Sequence, residues 1–366
     1  MPHDDERTRV LNALKRYGYQ SQSYNILREG KKYFFSQRVI DGVIAYIVQA
    51  RVALAAGDPV CAPEDIREFA DEFRQFCKKH RWKCCFHPIT ERCKEALKEL
   101  GFGIMKTGEE PIIDLNKLSW AGGKFKDLRH DIGKSKKQGM SVMEYRPLEG
   151  RRTDWEEQME EISRIWAKAK GSGEFSFLIG ASSLDNPGER KYLLVLKYDR
   201  VEAFMVCTPI YARNGIYFDI MRRKEKPLPG TAQLLIAEAL QFFKQQGYEL
   251  ATMGTVPLAN EYVEDQDQAR IVELALDFTF EHLGHFHHLK PLYQFKEQFG
   301  ASWWEGRYLA YYSSRFNPVI LYAILKAYDP GGVSNQLKKQ LNMAWRGIKQ
   351  VKRFRKKIMG RVHHIV

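Results

Sequence analysis

The sequence predicts an α+β chain that carries out one plan twice. Two observations predict it. Residues 42–115 and 192–258 each run from strand-like apolar stretches into a helix with 3.6-residue apolar spacing and out into a further strand. The composition, 44% hydrophobic and 28% charged over 366 residues, is that of a globular chain with core enough for one large or two ordinary folding units of about 100–200 residues each.

In the first repeat, "GVIAYIVQ" and "RVALAAGDPV" read as strands. A helix follows from Pro63, where Ile66, Phe69, Ala70, Phe73, Phe76 and Cys77 keep one apolar face. The strand "WKCCFHPI", a short helix "ERCKEALKEL", a Gly-Phe turn and the strand "EPIIDL" complete the unit. Between the repeats lies "GGKFKDLRHDIGKSKKQG", bracketed by glycines. Its spacing fits a helix with Lys124, Lys126, Arg129, Lys134, Lys136 and Lys137 on a basic face against Asp127 and Asp131, either a solvated face or a phosphate-binding one. The amphipathic stretch "DWEEQMEEISRIWAKAK" is expected to give Trp155, Met159, Ile162 and Trp166 to the core. In the second repeat "YLLVLKYD", "VEAFMVCTPIYA" and "GIYFDIMRR" form an antiparallel set joined by the turns "YDR" and "ARNG". A helix "TAQLLIAEALQFFKQQ" begins after Pro229-Gly230, and a strand "YELATMGTVPL" follows. The expected organisation is 1–120, a basic connecting helix and linker at 121–150, 151–315, and a basic amphipathic tail at 316–366.

Charge is concentrated at the end of the chain. Residues 331–366 hold ten Lys and Arg and no Asp or Glu, which leaves only +3 of the formal +13 for residues 1–330. With Leu337, Leu341, Trp345, Ile348, Val351 and Ile358 at steps of three or four, this tail is expected either to lie on an anionic membrane face or to remain a solvated arm. The polar start "MPHDDERTRV" carries no secretory signal, and "NPVILYAILKAY" falls short of the about 18–20 apolar residues that cross a bilayer. The expected location is therefore cytoplasmic and peripheral to the inner face of the membrane. Six cysteines without CxxC spacing are expected as buried thiols, and the cluster "EHLGHFHHLK" lacks HExxH order, so no metal is expected.

One acid interrupts the strand "IYFDIM". Strict alternation puts Tyr217, Asp219 and Met221 on one face and Ile216, Phe218 and Ile220 on the other. A carboxylate on such a face must be paired, as in a structural ion pair with the following Arg222 or Arg223, or have its pKa raised toward that of a general base. Three other segments converge on the same place by pattern. "MGTVPLAN" ends a strand in small residues, "PLYQFKEQF" sets Lys296 among aromatics, and "WWEGRYLAYY" is an aromatic strand carrying Arg307. Tyr217, Gly254, Asn260, Arg307 and Tyr308 are the expected substrate contacts on these segments.

Strands, a helix and a strand around a central sheet resemble the N-acetyltransferase plan, here in tandem. The Q/R-x-x-G-x-G/A loop that cradles a pyrophosphate at a helix N-terminus is missing, and "KPLPGTAQ" holds its place with one glycine, so coenzyme A is not expected. In order, "SYNILREGKKYFFS", "RVALAAGDPV", "GEEPIIDL", "KDLRHDIGKSKKQG", "FSFLIG", "FDIMRR" with "PGTAQLL", "MGTVPL" and "LYQFKEQFGASWWEGRYLAYY" resemble the cytoplasmic domain of the phosphatidylglycerol lysyl- and alanyltransferases, over roughly residues 8–315. That resemblance implies a tandem acetyltransferase-like fold and transfer of an amino acid from aminoacyl-tRNA to a hydroxyl of phosphatidylglycerol, without metal or coenzyme A. It implies that Asp219, Arg222 and Lys296 are the catalytic set and that the basic helix takes the tRNA acceptor stem. "FKEQF" and "EGRYL" stand where the family more often has "FKEKF" and "EPRYL", and the family's membrane-spanning flippase half is expected to be absent. The alternatives are a peptidoglycan-type aminoacyl-tRNA transferase, which makes an amide, an acyl-CoA-dependent N-acyltransferase, and a non-catalytic RNA- or membrane-binding module.

Overall fold

A computed structural model describes residues 2–170, 177, 184, 187–257, 289–313 and 318–328. The first half runs α1 (Pro2–Tyr17), a 3-10 turn (Ser23–Leu27), β1 (Lys32–Phe34), β2 (Gly42–Gln49), β3 (Val52–Ala56), β4 (Val60–Cys61), α2 (Ile66–Lys79), β5 (Lys83–Ile89), α3 (Glu91–Glu99) and β6 (Gly103–Asp114). Then come α4 (Lys126–Lys137), β7 (Met140–Tyr145), α5 (Thr153–Lys170), β8 (Lys191–Lys197), β9 (Arg200–Ile210), β10 (Gly215–Arg223), α6 (Thr231–Gln245), β11 (Leu250–Thr252) and β12 (Val256–Pro257). Helix α7 (Leu289–Glu297), strand β13 (Trp303–Tyr311) and helix α8 (Pro318–Tyr328) follow.

One sheet joins both halves, in the order β1-β2-β3-β5-β13-β6-β11-β10-β9-β8-β7. Each half contains one parallel pair, β3 with β5 and β10 with β11, and a helix makes each crossover because parallel neighbours cannot be joined by a hairpin. The fold is thus α+β with the acetyltransferase-like plan in tandem. Strand β13 enters between β5 and β6, and β6 pairs in turn with β11, so the two halves share their central strands.

Helices cover both faces. Ile66, Phe69, Ala70, Phe73 and Cys77 of α2 are buried against the sheet together with Cys93 and Leu97 of α3, as the spacing predicts. On the opposite face sit α1, through Val10, Ala13 and Leu14, and α8, through Ile320, Leu321, Ala323, Ile324 and Leu325. Helix α8 lies inside the stretch expected to be tail; its apolar residues fill the first half's core, and the chain beyond it falls outside the described residues. In the second half α6 packs on one face of β8–β10 and α5 on the other, through Trp155, Met159 and Ile162. Among the described residues no helix is long and apolar enough to cross a membrane. All six cysteines are free and buried.

Strict alternation along β10 does not hold. The register against β9 slips between Phe218 and Ile220, which leaves Asp219 as a bulge. Ile216 and Phe218 face α6, but Ile220 crosses to the α5 side and Met221 packs with the α6 cluster. The extra residue thereby carries Arg222 to α5.

Candidate active site

The parallel strands β10 and β11 stay paired only from Gly215–Leu250 to Tyr217–Thr252. Beyond that point they part. β10 continues through the Asp219 bulge, while the segment after β11 turns through Met253–Thr255 and rejoins the sheet as β12 on β6. The predicted strand "YELATMGTVPL" is therefore broken where the two strands separate. Strand pairing cannot satisfy the carbonyls of this turn, and Lys296 does so instead. Its Nζ donates to Met253 O (2.9 Å), Gly254 O (2.7 Å) and Thr255 O (3.3 Å). The side chain is only 8% exposed. Burial lowers its pKa to about 8, against the opposing pull of Glu110.

A buried polar network backs the turn. Glu110 on β6, 0% exposed, accepts from Thr252 Oγ1 (2.8 Å) on one oxygen and from Ser21 Oγ (3.0 Å) and Arg307 Nε (2.7 Å) on the other. Thr252 Oγ1 in turn accepts the Gly254 N–H (3.1 Å). Arg307, 1% exposed, also reaches Glu305 Oε2 (3.2 Å), and Glu305 pairs with Arg213 (2.7 Å). Burial alone would lower the Arg307 pKa, but Glu110 and Glu305 raise it above its ordinary value. Burial likewise opposes ionisation of Glu305, and Arg213 and Arg307 hold it below the usual carboxylate range. Such charges persist in a core only because each one has charged and hydrogen-bonded partners.

Tyr217 and Gly254 meet across the gap. Gly254 has φ +76°, and a Cβ there would lie 3.0 Å from Tyr217 Cε2. Burial, together with the charges of Asp219 and Glu110, pushes the Tyr217 phenol well up, so it stays protonated. Arg222, 4% exposed, stacks with its Cζ 4.2 Å from the centre of the Trp166 ring, and its Nη1 donates to Ser163 O (3.3 Å). Trp166, predicted as core, is thus the platform for Arg222.

The structure gathers Tyr217, Asp219, Gly254, Lys296 and Arg307 around the parted strands. It does not bring Tyr308 there: that side chain packs against the α2–α3 cluster, with Lys94 Nζ 4.8 Å from its ring. Asn260 and the histidines of "EHLGHFHHLK" lie outside the described residues. Sequence reading missed Glu110, Thr252 and Ser163. For Glu110 a signal was present, because it is an acid inside a predicted strand, as Asp219 is.

The basic helix docks on α6 through Leu128 and Ser135, with its cationic side chains exposed. Lys136 pairs with Glu238 (2.7 Å), Lys124 with Glu297 (3.5 Å), and Arg129 donates to Trp120 O and to Gly122 O (2.8 Å). Lys126, Lys134 and Lys137 make no ion pair among the described residues. Folds of this plan hold the pyrophosphate of coenzyme A on the N-terminus of the helix corresponding to α6. Here Thr231 and Ala232 are buried, and a Cβ on Gly230 would run into Ser135 Oγ and lie 2.9 Å from Asp131 O of α4. The residues present do not fit a pyrophosphate.

A family model described as phosphatidylglycerol lysyltransferase, C-terminal, matches residues 11–311. Phosphatidylglycerol lysyltransferases of Staphylococcus epidermidis (strain RP62A) and Staphylococcus aureus (strain MRSA252) are each 24% identical to the chain. They match over 85% and 81% of it and over 36% and 35% of their own length, so the chain spans about a third of these relatives. Among solved structures, a C-terminal domain assigned to a lysylphosphatidylglycerol synthetase from Agrobacterium fabrum superposes with a TM-score of 0.74 at 23% identity, covering 90% of this chain and 98% of that one. L-PGS from Bacillus licheniformis gives 0.74 at 22%, covering 88% and 96%. FemX gives 0.51 at 10%, covering 83% and 95%, a likeness of fold alone. With the family model matched from the first helix to the last shared strand, the chain belongs to the family of phosphatidylglycerol lysyltransferase C-terminal domains.

Proposed function

We propose that the chain moves an amino acid from aminoacyl-tRNA to a hydroxyl of phosphatidylglycerol or a related anionic lipid. The observation that carries the reading is a bulged, half-buried carboxylate, Asp219, at the point where β10 leaves β11; its charge acts on Tyr217, and the Tyr217 ring meets Gly254 of the turn that a buried ammonium locks in place. Family membership supports an anionic lipid as the substrate class.

The reaction is an ester exchange. The lipid hydroxyl oxygen attacks the carbonyl carbon of the aminoacyl ester, and its proton passes to Asp219. The tetrahedral oxyanion then collapses, the bond to the ribose oxygen breaks, and that oxygen takes the proton back from Asp219 as the tRNA leaves. The donor ester is already activated, so holding the two substrates in line supplies much of the acceleration. All three N–H bonds of Lys296 are committed to carbonyls. Lys296 therefore contributes a rigid wall and a fixed positive field rather than a hydrogen bond to the oxyanion. Arg222, buried over the Trp166 ring on the α5 side, supplies a fixed positive field that favours a phosphate nearby rather than a direct contact. Exposed Lys126, Lys134 and Lys137 suit the phosphates of an acceptor stem, and the ten cations beyond residue 330 suit an anionic leaflet.

The test is incubation of the chain with charged tRNA and phosphatidylglycerol vesicles, followed by mass spectrometry of the lipid. An alkali-labile aminoacyl lipid is expected, and Asp219→Asn should lower its formation by about 10²-fold or more with the thermal unfolding curve unchanged. An alkali-stable product would point to amide formation of the peptidoglycan type, and full activity in Asp219→Asn would remove the proposed base.

A further inference from the structure

We infer that Glu110 on β6 is the positioning residue of this site: one of its oxygens fixes the 252–255 turn through Thr252, the other anchors Arg307 and Ser21, and the wall opposite Tyr217 keeps a single shape. This rests on the transfer reading above and goes beyond it by placing part of the machinery on a strand of the first half.

Three observations carry it. Glu110 is wholly buried, and the hydrogen bonds it accepts tie three separate segments to the turn: Thr252 orients the Gly254 amide, Arg307 sits on β13, and Ser21 precedes the turn at Ser23–Leu27. Gly254 then presents its carbonyl to Lys296 and its α-carbon to the Tyr217 ring. The Glu110 charge also acts on both Lys296 and Tyr217. Of the other charged groups on the surrounding elements, Arg307 is bound to Glu110 itself, Asp219 lies on β10, and Glu297 of α7 is taken by Trp304 Nε1 and Lys124. A buried acid whose only task was to join two halves would not need to reach the turn that holds Lys296.

The experiment compares the full chain with Glu110→Gln, Thr252→Val and Thr252→Ser, reading kcat, KM and the pH profile of lipid aminoacylation together with amide hydrogen exchange at 252–255. In Glu110→Gln, kcat is expected to fall at least about tenfold while KM stays within about threefold, because the geometry of the reacting centre is disturbed rather than the outer binding surface. An alkaline limb is expected from Lys296, whose pKa burial lowers to about 8, and it should move to lower pH once the negative charge that favours its protonated form is gone. Thr252→Val should also lower kcat and speed exchange at Gly254, leaving the alkaline limb in place because Glu110 keeps its charge, and Thr252→Ser should restore both. An unmoved alkaline limb in Glu110→Gln, or parental kcat and exchange in Thr252→Val, overturns the inference. If Glu110→Gln does not fold, the Thr252 pair decides. If the parent forms no aminoacyl lipid, the transfer reading fails, and the amide exchange at 252–255 in Glu110→Gln still decides whether Glu110 positions the turn.

Discussion

Replacing Lys296 by Met sets two opposed effects against each other. Lys296 holds its proton less tightly in the folded chain than in the unfolded one, about 8 against 10.5. Across that window the unfolded chain carries more protons, so native stability rises with pH. From this one group the parent gains about 2 kcal/mol between pH 7 and pH 9.5, and Met, with no proton to bind, gains nothing. At pH 7 the substitution relieves about 3 kcal/mol of buried-charge cost but strips the carbonyls of Met253, Gly254 and Thr255 of their donor, at about 1–3 kcal/mol each. The loss outweighs the relief. Lys296→Met should be less stable by up to a few kcal/mol at pH 7, and its deficit should widen by about 2 kcal/mol at pH 9.5. The buried thiols and tyrosines that titrate in the same range are common to both proteins and cancel in the difference. Urea denaturation of both proteins at the two pH values measures it, and a deficit that stays constant with pH would refute the picture of a charged, desolvated Lys296.

Gly254→Ala forces a side chain into the left-handed region and onto Tyr217, and should cost about 1–2 kcal/mol in thermal unfolding and most of the transfer activity. A double-mutant cycle of Arg222→Lys with Trp166→Ala should return a coupling of about 1–2 kcal/mol in kcat/KM, since Lys keeps the charge but cannot stack on the ring as a guanidinium does; additive effects would dismiss the platform. Joint replacement of Lys126, Lys134 and Lys137 by Gln should reduce the slope of log affinity for tRNA against log salt by about 2–3, as measured by titration at several ionic strengths.

Where local pattern decides structure, the sequence was readable. The apolar spacing of α2 and the run of strands and helix from β8 to α6 lie where periodicity puts them, because one buried face imposes the period. What depended on distant partners was not readable. The slip of β10 against β9 is a property of two strands, and without it alternation assigns Ile220 and Met221 to the wrong faces. The insertion of β13 between β5 and β6 joins residues about 200 apart in the chain, and "NPVILYAILKAY" looks like part of a tail until the first half's open face is seen to need it. The site divides in the same way. Asp219 and Lys296 stood out as charges among apolar residues, whereas Glu110 and Arg307 carry the same signature and were recognised as one network only once β6 and β13 lay side by side.

Helix α4 joins two properties that appear separate in the sequence: the missing glycine-rich loop and the basic run. Its inner face, Leu128 and Ser135, packs on α6 and closes the helix N-terminus, where backbone N–H groups would otherwise receive a compact pyrophosphate. Its outer face carries exposed lysines that are spread along the helix rather than gathered at a point. A recessed ring of amides selects a small, dense anion, while a row of flexible exposed cations suits a polyanion whose charges are spaced along a backbone. Docking α4 on α6 thus closes the cradle a coenzyme would need and leaves outward the cationic row that the proposed nucleic-acid donor would meet. On the proposed reading, the parting of β10 and β11 is then where a donor ester would meet the lipid hydroxyl.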